Sequence, residues 1–113
     1  MFAPQQLSEY FERIGYTGGE KPSAENLRGL HIGHTMNIPF ENLDVVAGLG
    51  ISLAPQSLFD KLVTRRRGGY CFEMNGLFSS VLCSLGYPVT RLLARGAMNN
   101  GEYTAKLHEI MRV

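Results

Sequence analysis

The sequence predicts an α+β fold: an N-terminal helical bundle over residues 1–86, followed over 87–113 by the first strands of an antiparallel sheet or barrel. Apolar residues recur at helical spacing in successive stretches before Gly86. Two β-rich runs flank an Asn-Asn-Gly turn after Pro88, and no repeat, low-complexity tract or linker separates the two parts. The 113 residues therefore form one unit with segregated layers and a cleft between them.

Leu7, Tyr10, Phe11 and Ile14 define the apolar face of a first helix, which Gly15 stops. Thr17 to Pro22 reads as a solvated turn. Ser23 then caps a second helix carrying Leu27, Leu30, His31 and His34 and ending before Pro39. Ile38 to Val45 mixes polar and apolar residues around Pro39, which suits a loop whose side chains turn inward.

Ser57 is predicted to cap a third helix with Leu58, Phe59, Leu62 and Val63 inward. It runs into Arg65-Arg66-Arg67, cations that favour a helix C-terminus. Such a run can also bind phosphate; the solvated structural reading is preferred, with Arg67 the most inward of the three. Gly68-Gly69 then turns the chain into a helix carrying Met74, Leu77, Phe78, Val81, Leu82 and Leu85. Gly86 and Pro88 end it. Val89 to Arg95 and Tyr103 to Val113 read as strands joined by a turn at Gly96 to Gly101.

Eleven Lys and Arg against ten Asp and Glu leave a net charge of +1, which selects neither nucleic acid nor an anionic membrane. Cys71 and Cys83 share one helix, where a rise of ~1.5 Å per residue sets them ~18 Å apart, too far for a disulfide. No signal peptide or membrane span is evident in the sequence, and a reducing cytoplasm is the simplest setting. His31 and His34 could share a face, but without a third ligand at useful spacing no metal site is expected.

Cys71 falls at the seam between the glycine turn and the apolar helix. Unpaired amides at a helix start favour a thiolate, and so does a neighbouring imidazole, for which His108 on the second strand is the candidate. A thiolate is both a strong nucleophile and a good leaving group. The imidazole would hold the sulfur ionised and later take a proton, while the helix-start amides stabilise an oxyanion. The plainer alternative for Cys71 is a small buried hydrophobe, which is also the reading preferred for Cys83, as core or half-buried packing. Glu73 and Asn75 are expected to fix the helix start rather than perform chemistry.

Arg67-Gly68-Gly69-Tyr70-Cys71-Phe72-Glu73 with Asn75, preceded by Ile38-Pro39-Phe40-Glu41-Asn42-Leu43-Asp44 and followed by His108, resembles the arylamine N-acetyltransferases. Further points of resemblance are Arg13 to Tyr16, Leu30-His31, Leu85 to Tyr87 and Ala94-Arg95. The resemblance implies a papain-like Cys-His-Asp arrangement and two-step transfer. Acetyl-CoA acetylates the cysteine, and an aromatic amine or hydrazine then takes the acetyl group, with no metal. By position Cys71 is the nucleophile and His108 the base. Phe40 walls the acceptor pocket or, equally, is an ordinary core aromatic.

The sequence departs from the family at the third triad member, an Asp expected on a strand beyond His108. Asp44 and Asp60 both lie upstream of the cysteine and match no such position. The reading preferred is an incomplete, truncated chain with impaired transfer. Completion by a second polypeptide, or a small relative whose His108 is oriented by Glu41, Glu73 or a backbone carbonyl, are the alternatives. An open strand edge after Val113 invites self-association. Outside acyl transfer stand a non-catalytic helical module that binds a partner and a cysteine hydrolase or transglutaminase-like enzyme.

Overall fold

Helix α1 spans Pro4–Ile14; the proline at its first position has no amide to leave unpaired, and Ala3 N donates to Gln6 Oε1 at 3.0 Å. Gly15 closes it in a left-handed conformation, φ +67°. Helix α2, Ala24–Asn37, is capped as predicted: Asn26 N donates to Ser23 Oγ at 3.1 Å. A side chain at Gly33 would place a carbon 2.8 Å from the Ile14 carbonyl, so glycine lets α2 cross the end of α1 at backbone contact. The computed structural model describes all residues, Met1–Val113.

Leu43–Val46 forms a single helical turn, α3, inside the segment predicted as a loop. Helix α4 begins at Pro55, not at a Ser57 cap: Ala54 takes the cap position and the chain runs Pro55–Phe59, then continues as a π-helical turn over Asp60–Thr64. Leu58, Phe59, Leu62 and Val63 are all buried, as their spacing predicts. Beside this turn, buried Arg13 braces three elements, donating from Nε to the Leu62 carbonyl at 2.8 Å and from Nη1 to the Asn37 carbonyl at 2.6 Å.

Helix α5, Cys71–Ser84, is the centre of the bundle, with Leu77, Val81 and Leu82 fully buried among Tyr10, Ile14, Leu30, Leu58 and Leu62. Each such side chain contributes about 1.5–3 kcal/mol of burial, so the α5 face sets where everything else docks. Cys83 does not join this core: it is exposed, on the side of α5 carrying Ser79 and Ser80, and with them lines a shallow groove near the N-terminus. No helix is long and apolar enough to cross a membrane.

Strands β1, Thr90–Ala94, and β2, His108–Arg112, pair antiparallel, with Ala94 opposite His108 and Leu92 opposite Ile110. The predicted second strand is thus shorter than expected: residues 103–107 are loop, apart from one bridge between Ala97 and Tyr103. One face of the hairpin packs on α5 through buried Glu109 and half-buried Met111, while Leu92 and Ile110 are exposed on the other. Helices therefore form one layer and the hairpin a second.

Candidate active site

The turn before α5 is built against the Pro39–Glu41 segment. Glu41 N donates to the Gly69 carbonyl at 2.9 Å, and Gly69 N donates to the Pro39 carbonyl at 3.2 Å. A side-chain carbon at Gly68 would lie 2.2 Å from the Pro39 oxygen, which excludes every residue but glycine from this approach. The two sequence segments that carry the family resemblance are therefore joined backbone to backbone.

A charge network fixes the same turn. Lys61, on the π-helical turn, bonds Asp44 at 2.8 Å and Glu73 at 2.7 Å, and Arg67 bonds Asp44 at 2.7 Å. Hydrogen bonds from Lys61 and Arg67 hold the Asp44 carboxyl at about 2. Burial alone would lower the Lys61 ammonium, yet Asp44 and Glu73 outweigh it and the net shift is upward. Glu73 also accepts from Tyr70 N at 3.3 Å, so it satisfies an amide at the start of α5 while neutralising a buried lysine. Of the arginine run, Arg65 pairs with Asp60, and Arg67 turns inward as predicted.

Cys71 is the first residue of α5 and is 4% exposed. Its Sγ lies 3.8 Å from the carbonyl of Leu107, the residue before His108. Asn75 Nδ2 donates to the Cys71 carbonyl at 3.0 Å and to the Glu109 carbonyl at 2.7 Å. The structure thus brings the backbone on both sides of His108 against the first turn of α5. His108 itself is exposed and lines a cavity of about 580 Å³ together with Leu27, His31, Asn75, Phe78 and Met111.

The remaining sequence candidates go elsewhere. Phe40 bridges Gly69 through its backbone, but the residue is 66% exposed, so it is not a core aromatic. Glu41 accepts from Leu43 N, Glu73 from Lys61 and Tyr70 N, and neither lines the cavity with His108; neither is placed to orient it. His34 is buried, its Nδ1 2.8 Å from the Tyr10 hydroxyl and its ring stacked 4.7 Å from Phe78. Burial pushes it down to about 4, opposed by the nearby Met74 backbone, with which Nε2 forms no well-shaped hydrogen bond.

Sequence reasoning missed the network at Lys61 and the reach of Asn75. For Lys61 there was a signal: a cation between Phe59 and Leu62, on a helix face otherwise buried, requires an anion inside. For Asn75 there was none, because its second partner is a backbone carbonyl distant in sequence.

Comparison with known proteins places this chain in a family. A family model described as N-acetyltransferase matches residues 23–113, a span containing both Cys71 and His108. The chain belongs to the arylamine N-acetyltransferases. The arylamine N-acetyltransferase of Mycobacterium tuberculosis is 53% identical over 90 residues, 79% of this chain and 32% of the relative. That of Escherichia coli is 49% identical over 94 residues, 83% and 34%.

Among solved structures, the Salmonella typhimurium arylamine N-acetyltransferase superposes with a TM-score of 0.89 at 39% identity, covering 97% of this chain and 40% of that one. The Mycobacterium marinum arylamine N-acetyltransferase in complex with CoA gives 0.86 at 44%, covering 93% and 40%. The chain therefore spans about a third of the length of these curated relatives. Its α+β architecture is that of an arylamine N-acetyltransferase over the matched part.

Proposed function

We propose that this chain carries the acetyl-transfer nucleophile and base of an arylamine N-acetyltransferase, Cys71 and His108. The observation that carries the reading is the 3.8 Å approach of Cys71 Sγ, at the first residue of α5, to the carbonyl preceding His108. Sulfur attacks the thioester carbonyl of acetyl-CoA, the new C–S bond forms, and the CoA sulfur leaves with a proton from the imidazolium. An aromatic amine or hydrazine then attacks the acetyl-cysteine and gives its proton to His108 as the C–S bond breaks. Phe40, exposed beside the glycine turn, walls the acceptor side.

The solved CoA complex of the M. marinum relative supports acetyl-CoA as donor, and the S. typhimurium relative named arylamine N-acetyltransferase / N-hydroxyarylamine O-acetyltransferase supports an aromatic acceptor. Asp44 and Asp60 are bonded to Lys61, Arg67 and Arg65, so neither serves His108. The test is therefore single-turnover. Incubation with acetyl-CoA followed by intact mass should show one acetyl group, absent in Cys71→Ser and discharged by aniline or a hydrazine. No adduct, or an adduct that persists in Cys71→Ser, would leave the chain as a non-catalytic helical module.

A further inference from the structure

Asn75 sits one turn after the nucleophile and uses both hydrogens of one nitrogen on two different elements. Nδ2 reaches the Cys71 carbonyl at 3.0 Å within α5 and the Glu109 carbonyl at 2.7 Å on β2. The only other hydrogen bond between α5 and the hairpin is donated by the Cys71 thiol to the Leu107 carbonyl, at 3.8 Å a weak one that lasts only while the sulfur keeps its proton. His108 is thus bracketed by contacts to the residue before it and the residue after it, and Asn75 supplies the stronger.

Beyond these two bonds the hairpin is held on α5 by the packing of Glu109, Met111 and the Arg91 guanidinium, which fixes register less sharply than a directional bond. It has only two strands. Its inner-face ion pair, Arg91 with Glu109, lies within the sheet and rests against α5 near Gly76 without a hydrogen bond to it. A slide of β2 along α5 would shift His108 relative to Cys71, and a displacement of 1 Å at a reacting pair can cost about a hundredfold in rate.

We infer that Asn75 is a positioning residue, which ties the strand bearing His108 to the helix turn bearing Cys71 and so fixes imidazole against sulfur. This rests on the reading of Cys71 and His108 as a working pair. Aspartate at this position would be nearly isosteric but has no hydrogen to donate, and would set a carboxylate against two carbonyls. Alanine removes the link without introducing a clash.

The test is carried out on the full chain with Cys83→Ser, so that one thiol remains. Iodoacetamide alkylation is timed by intact mass at about pH 6.5 and about pH 9, and the ratio of the two rates cancels access to the buried sulfur and reads its ionisation. The unaltered site should keep most of its rate at the lower pH, whereas Asn75→Asp and Asn75→Ala should lower the ratio about tenfold. The variant that retains the parent far-ultraviolet dichroism decides: a ratio unchanged in that variant overturns the inference. If the parent ratio is already that of an ordinary thiol, the Cys71–His108 reading fails instead.

Discussion

His34 makes the stability of this chain depend on pH in a direction fixed by its burial. The imidazole titrates at about 4 in the folded chain against 6.5 for an ordinary histidine. The unfolded chain therefore binds the proton first, so the contribution of His34 is fully present above pH 6.5 and is lost as pH falls toward about 4. At 1.36 kcal/mol per unit the full loss is about 3 kcal/mol, and about 2 kcal/mol of it is gone by about pH 5. Against a typical domain stability of about 5–15 kcal/mol, this is a large fraction.

The assay is urea unfolding at a series of pH values for the parent chain and for His34→Gln. Carboxylates and the other histidines titrate in both proteins, so the difference between the two curves isolates His34. The parent should lose about 2 kcal/mol more than the variant between about pH 7 and about pH 5. Parallel curves would refute the reasoning, because they would mean that the folded protein admits the proton as readily as the unfolded one.

Lys61→Met leaves the Glu73 carboxylate buried without its cation and should cost about 3–5 kcal/mol in urea unfolding; adding Glu73→Gln should recover much of that loss, and an equal cost in the double variant would deny the pair its importance. Gly68→Ala drives a methyl group to 2.2 Å from the Pro39 oxygen. Opening the Pro39–Glu41 contact with Gly69 to make room should destabilise by about 1–3 kcal/mol, and a neutral result would show that the two segments are not joined as described.

The helices that bury a periodic apolar face were legible in the sequence. Leu7, Tyr10 and Ile14 on α1 and Leu77, Val81 and Leu82 on α5 are inward because the periodicity that predicts the helix also selects the face. Helix α3 was not legible, since a single turn with no buried residue leaves no periodicity to read. At α4 two start signals competed, and Pro55 at the first turn prevailed over a Ser57 cap. The second strand was over-extended because Tyr103 to Leu107 has strand-like residues but lacks a partner once β1 ends at Ala94.

Within the candidate site, the placement of Cys71 at a helix start followed from the glycine turn and the apolar run after it. The exposure of Cys83 did not follow from its neighbours Leu82 and Leu85, because a step of one residue along a helix turns the side chain to another face. The buried cation Lys61 lay outside the sequence account altogether. Its two anions, Asp44 and Glu73, come from separate parts of the chain.

The most direct test of the account compares Cys71 with and without its imidazole. Alkylation rates at about pH 6.5 and about pH 9 are measured with Cys83→Ser, for His108 and for His108→Gln; an ordinary thiol loses roughly a hundredfold between these two values. The account predicts that Cys71 keeps most of its rate at the lower pH when His108 is present and that His108→Gln restores the ordinary loss. The same ratio in both chains would contradict the claim that His108 activates the sulfur.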